Sequence, residues 1–168
     1  MRYFIHLAYN GNAYCGWQRQ ANSSKSIQQV LEDTLTNVTK TNIKIIGCGR
    51  TDAGVHAAQY FAHFDVGECF PYDVCQRLNH HLPSDIVVYD VIPVDDKAHA
   101  RYDALSRTYQ YFVHLEQSPF LEPFSAYYDI NIDVDLIQQG FKLIAPMKEF
   151  RHLCLAPDRV NNTICTIS

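Results

Sequence analysis

Ile43-Lys44-Ile45-Ile46-Gly47-Cys48-Gly49-Arg50-Thr51-Asp52-Ala53-Gly54-Val55-His56-Ala57 changes character halfway, and that change decides the fold. Its first part is apolar and β-branched (Ile43, Ile45, Ile46). The run beyond its C-terminal end alternates, with Tyr60, Ala62, Phe64 and Val66 on one face and Phe61, His63 and Asp65 on the other. Both flanks read as strands. Gly47, Gly49 and Gly54 break the chain between them into an irregular connection where backbone can approach a ligand. Within seven positions the connection carries a cation, a hydroxyl, a carboxylate and an imidazole (Arg50, Thr51, Asp52, His56). Composition alone leaves two readings open, a solvated turn or a functional loop held between rigid strands.

Outward from this loop the pattern is α+β. Tyr3, Ile5, Leu7 and Tyr9 alternate with Phe4, His6 and Ala8 as a half-buried strand, ended by Asn10-Gly11-Asn12. Ser26-Ile27-Gln28-Gln29 has the form of a capping box. Ile27, Val30, Leu31, Leu35 and Val38 come after it at helical spacing to about Lys40. A second helix is expected from Tyr72 to Leu82, with Pro83 beyond it, and then a strand at Ile86–Ile92 that leaves through Pro93 to Asp96. Ser106-Arg107-Thr108-Tyr109-Gln110-Tyr111 alternates into Phe112-Val113-His114 and reads as a strand. Asp133 is a candidate cap for a third helix with Leu136, Ile137, Phe141 and Ile144, and Thr163–Ile167 reads as a last strand. The order predicts an antiparallel or mixed sheet with helices on one face.

Bulk properties narrow the classes. The chain has 168 residues, 47% hydrophobic and 19% charged, which suits a globular protein of one domain or two small ones. No apolar run approaches the roughly 18 residues of a membrane helix. Met1–His6 lacks a signal-peptide pattern, so a cytoplasmic protein with reduced thiols is expected. The six cysteines form no Cys-x-x-Cys pair, and a zinc site is not expected, Cys75 with His80 and His81 being the nearest grouping. The net charge of −4 runs against nucleic-acid binding unless Arg and Lys cluster locally.

Gly49-Arg50-Thr51-Asp52-Ala53-Gly54-Val55-His56 resembles the active-site signature of the tRNA pseudouridine synthase A family. Asp52 falls on the family's essential catalytic Asp, and Arg50 on the adjacent Arg. Three further blocks match in register. They are Gly16-Trp17-Gln18-Arg19-Gln20, His99-Ala100-Arg101-Tyr102, and Arg107-Thr108-Tyr109-Gln110-Tyr111, where Tyr109 matches the aromatic that stacks on the target uracil. Glu149-Phe150-Arg151-His152 matches a fourth imperfectly. Without the resemblance, Trp17 reads as a core anchor and the 106–111 segment as an aromatic core strand.

The resemblance implies a pseudouridine synthase fold of two ferredoxin- or RRM-like halves. Residues 1–103 would be an α+β domain carrying the catalytic loop, and residues 104–168 the start of a second domain. Family members are longer, and their C-terminal part supplies an Arg that pairs with the catalytic Asp, so the chain reads as truncated. The implied activity is isomerisation of uridine to pseudouridine at positions 38, 39 and 40 of the tRNA anticodon arm by a homodimer. Arg50, Arg101, Arg107 and Tyr109 would be substrate-binding residues. The reaction involves neither redox change nor phosphate energy, so no cofactor or metal is expected, and no P-loop is present. A non-catalytic RNA-binding module is the alternative.

Overall fold

A computed structural model describes residues 1–20, 25–154, 156–159 and 162–167. The chain divides into two compact units, Met1–Gln110 and Tyr111–Ser168.

In the first unit the order is β1 (Arg2–Tyr9), α1 (Ile27–Thr39), β2 (Ile45–Gly47), β3 (Ala57–Asp65), α2 (Val74–His81) and β4 (Ile86–Val94). The strands form one sheet in the order β2-β3-β1-β4. Every neighbouring pair is antiparallel, so the sheet is not mixed. This is a split βαβ arrangement of the ferredoxin type. β1 is central because its alternation lets both edges pair while one face is buried. Tyr3, Ile5, Leu7 and Tyr9 all lie in the core. Against them pack Ile27, Val30, Leu31 and Leu35 of α1 and Val74 and Leu78 of α2. Burying such side chains is worth roughly 1.5–3 kcal/mol each.

Each helix starts where a short polar side chain meets its free amides. Ser26 accepts from the Gln29 amide at 3.2 Å and Asp73 from the Gln76 amide at 2.9 Å. Lys40 ends α1 in the left-handed conformation, its amide bonded to the Thr36 carbonyl. Pro93 does not mark the exit from β4, as its sequence position suggests, but lies inside the strand, opposite Tyr3. An edge strand tolerates a residue with no N–H, and β4 is an edge.

The second unit holds a two-residue parallel pair, β5 (Val113–His114) with β6 (Ala126–Tyr127), and α3 (Val134–Ile144), capped by Asp133 as expected. Of the strand expected from Ser106 through His114 only the end forms, as β5; residues 104–112 have no regular structure. Alternation becomes a strand only when a neighbour supplies hydrogen bonds, and residues 104–111 have no ladder partner among the described residues, the first such bond being the Ala126 amide to the Phe112 carbonyl at 2.9 Å. The strand expected at Thr163–Ile167 is likewise reduced to one bridge, Ile164 to Glu149.

Candidate active site

Gly47 leaves β2, and the Cys48 amide still donates to the Phe61 carbonyl at 2.9 Å. The chain then departs from the sheet and returns at Ala57. Three aromatic side chains support this excursion from below. Trp17 stacks on Tyr60 with ring centroids 4.2 Å apart, and Tyr9 meets Tyr60 edge-on at 5.6 Å. All three are buried. The two tyrosine hydroxyls and the Trp17 backbone reach the loop. The Tyr60 hydroxyl donates to the Gly49 carbonyl and receives the Gly49 amide at 3.4 Å. The Tyr9 and Thr51 hydroxyls are hydrogen-bonded to each other at 2.9 Å. The Trp17 amide donates to the Thr51 carbonyl at 3.0 Å. Burial pushes the Tyr9 phenol up to about 12 and the Tyr60 phenol still higher, so both hydroxyls stay protonated.

The far side of the loop is fixed as well. The Gly54 amide donates to the Tyr14 carbonyl at 3.3 Å, and the Gly11 amide to His56 Nδ1 at 3.2 Å. The Tyr14 hydroxyl in turn donates to Asp85 at 2.6 Å. Gly16 makes the close approach possible. It sits at φ +94°, and a Cβ there would lie 2.3 Å from the Thr51 carbonyl oxygen.

Asp52 and Arg50 occupy the exposed part of this braced loop. Among the described residues neither side chain has a hydrogen bond or ion pair. A rigid base under an uncommitted carboxylate and an uncommitted guanidinium is what a site for an incoming ligand requires.

The His99-Ala100-Arg101-Tyr102 segment lies on the sheet face opposite the helices. Ala100 is buried and its amide donates to His63 Nδ1 at 3.2 Å, while the Arg2 guanidinium donates to the Ala98 carbonyl at 2.9 Å. His99 accepts from the Arg101 and Tyr102 amides, closing a tight turn. The turn leaves Arg101 exposed, its guanidinium 5.9 Å from the Tyr102 ring centroid. Arg107 bonds with Nε and Nη2 to the Cys48 carbonyl, at 3.1 and 2.6 Å, and with Nη2 to the Arg101 carbonyl at 2.8 Å. Tyr109 is 75% exposed and close enough to Tyr9 to contribute to that phenol's raised pKa. Arg101 and Arg107 are thus joined to the base of the Asp52 loop.

Trp17 is a core residue, 2% exposed, and supports the loop rather than facing solvent. Its segment is tied down by the buried Glu32 carboxylate, which takes Arg19 at 3.1 Å, Lys44 at 3.2 Å and the Ile45 amide at 3.2 Å. Sequence reasoning does not single out Tyr9, Tyr60, His63 or Glu32 as parts of the site. The only available signal is the core-facing alternation of the two tyrosines. Among the described residues no group of three His, Cys, Asp or Glu is placed to hold a metal ion. No helix among them is long and apolar enough to cross a membrane.

A family model described as tRNA pseudouridine synthase matches residues 6–103, the stretch that contains the loop and its supports. A tRNA pseudouridine synthase A from Azobacteroides pseudotrichonymphae is 39% identical over 168 residues, covering 99% of this chain and 67% of its own length. One from Porphyromonas gingivalis is 37% identical over 170 residues with the same coverage. One from Bacteroides thetaiotaomicron is 39% identical, covering 99% of this chain and 62% of its own length. The chain spans about two thirds of the length of these relatives.

Proposed function

This chain belongs to the tRNA pseudouridine synthase family, and from that premise we propose that Asp52 is the carboxylate that converts uridine to pseudouridine at positions 38, 39 and 40 of the tRNA anticodon arm. The observation that carries the reading is the Asp52 loop itself, braced at Gly49, Thr51, Gly54 and His56 while its carboxylate stays uncommitted.

The reaction is an isomerisation. The N1–C1′ bond breaks, the uracil turns, C5 bonds to C1′, and the proton lost from C5 is balanced by one gained at N1. Asp52 acts in one of two ways, as a nucleophile toward sugar or base or as a base on the ribose. The target uridine must leave its stack first, at a cost of a few kcal/mol. Tyr109, with its exposed ring, offers a face to the flipped base, where stacking is worth about 1–3 kcal/mol. Arg50 fills the vacated space or holds the backbone. Arg101 and the Nη1 side of Arg107 take phosphates. We read the working protein as a cytoplasmic homodimer that holds the anticodon arm across both subunits. Each subunit then contributes one such loop.

The test is Asp52→Asn, which keeps size and removes charge, assayed in the full-length protein. Pseudouridine formation on an anticodon-arm RNA should be abolished while RNA affinity stays within about threefold. Turnover within tenfold of the unsubstituted protein would remove Asp52 from the catalytic role. RNA binding that persists with no turnover in either protein would favour a binding module.

A further inference from the structure

We infer that Arg107 is a positioning residue for the reaction, a strap that holds the Asp52 loop and the Arg101 turn in one fixed relation; this rests on the function proposed above. The two segments are far apart in sequence, and Arg107 comes after the second of them on a stretch without regular structure. One guanidinium edge serves both. Nε and Nη2 straddle the Cys48 carbonyl, and Nη2 turns its second hydrogen to the Arg101 carbonyl. Cys48 is the last residue held by the sheet before the loop departs, so the strap grips the loop at its root. The side chain also lies along the loop, because a Cβ added at Gly49 would be 3.6 Å from Nε.

This arrangement needs arginine. A guanidinium presents several donors in one rigid plane, whereas an ammonium is a compact point charge on a flexible stem. The substitution Arg107→Lys would keep the cation and lose the simultaneous reach to two carbonyls. The catalytic consequence is angular. Asp52 lies four residues beyond the gripped carbonyl and Arg101 owns the other, so slack in the strap lets the carboxylate and the phosphate-binding cation drift apart. A displacement of about 1 Å at a reacting group costs on the order of a hundredfold in rate. A residue that acted only by charge would instead affect affinity and its salt dependence.

The two roles separate with Arg107→Lys and Arg107→Ala, each checked by circular dichroism for an intact fold. Hydrogen exchange is measured on peptides covering 48–54 and 99–103. Affinity and turnover are measured on the same anticodon-arm RNA. The strap predicts exchange faster by about tenfold in both segments of both variants. It also predicts that Arg107→Lys keeps its Kd within about threefold while kcat falls at least about tenfold. Unchanged exchange in Arg107→Ala overturns the strap. So does an unaltered kcat in Arg107→Lys. Should the unsubstituted full-length protein form no pseudouridine, the functional reading fails, and the exchange result still decides whether Arg107 joins the two segments.

Discussion

Tyr60 of β3 spans the gap beneath the Asp52 loop and closes a ring of hydrogen bonds on Gly49, giving its hydroxyl proton to the carbonyl and taking the amide. Gly47 is the residue that lets this ring pass. A Cβ there would lie 2.2 Å from the Tyr60 hydroxyl and 2.6 Å from the Trp17 indole. The loop therefore has a floor built from side chains of the core, and the floor determines how it responds to substitution.

Tyr60→Phe keeps the stack on Trp17 and removes the hydroxyl. The Gly49 carbonyl and amide lose their partner in a half-buried place, which costs about 1–3 kcal/mol. The midpoint of denaturant unfolding should fall accordingly, and hydrogen exchange at the Gly49 amide should rise. Stability equal to that of the unsubstituted chain would mean water replaces the hydroxyl without penalty.

Gly16→Ala should be more damaging than its size suggests. A left-handed φ strains an alanine by about 1–2 kcal/mol. The 2.3 Å approach to the Thr51 oxygen must also be relieved by moving the loop. Loss of at least about 2 kcal/mol of stability, with pseudouridine formation falling further than stability explains, is the expected outcome in a paired unfolding and turnover assay.

His63 makes the first unit acid-sensitive. Its Nδ1 accepts from the Ala100 amide, so the neutral ring carries its proton on Nε2, which has no partner among the described residues. Burial, and then the nearby Arg2 and His99, hold its pKa below 6.5, with Asp65 and Asp103 opposing. Above about pH 6.5 the ring is neutral folded or unfolded and adds no pH dependence. As pH falls through 6.5 the unfolded ring binds a proton first, so stability is lost from there down to the depressed folded pKa. Protonation also places a hydrogen on Nδ1, facing the Ala100 donor. His63→Gln keeps an acceptor and removes the titration. Its unfolding free energy should vary less between pH 7 and 5 than that of the parent, and equal slopes would exclude His63 as the source.

Arg50 and Arg101 should carry salt-dependent RNA affinity in spite of the net charge of −4. Each phosphate contact removed by substitution to Ala should reduce the log–log slope of affinity against salt by roughly 0.7–0.9. A double variant with the parental slope would show that the phosphates are held elsewhere.

The elements with periodic or capping signals are legible in the sequence. β1 shows itself by alternation, α1 by Ser26 and its apolar stripe, and α3 by Asp133. The loop is recognisable because glycines interrupt two strand-like runs. Contact between distant polar groups cannot be read, because it leaves no period. Arg107 has the sequence setting of a phosphate ligand, yet two of its three guanidinium nitrogens serve backbone carbonyls, and a carbonyl has no letter in the sequence. His63 falls on the face opposite the core by alternation, yet is buried, because the 98–103 segment covers it. The 104–111 stretch has the alternation of a strand but acquires no ladder partner among the described residues, and alternation cannot report a missing neighbour.

The position of β1 between β3 and β4 has a consequence for biosynthesis. This strand is made before both of its neighbours, and its partners arrive only with residues 57–65 and 86–94. At about 5–20 residues per second, the ribosome leaves a strand with four core side chains unpaired for several seconds. The sheet cannot close until Val94 has emerged, so the nascent chain passes through an interval in which Tyr3, Ile5, Leu7 and Tyr9 have no complete sheet to join. Chaperone capture during synthesis should concentrate in that interval and end once β4 has paired.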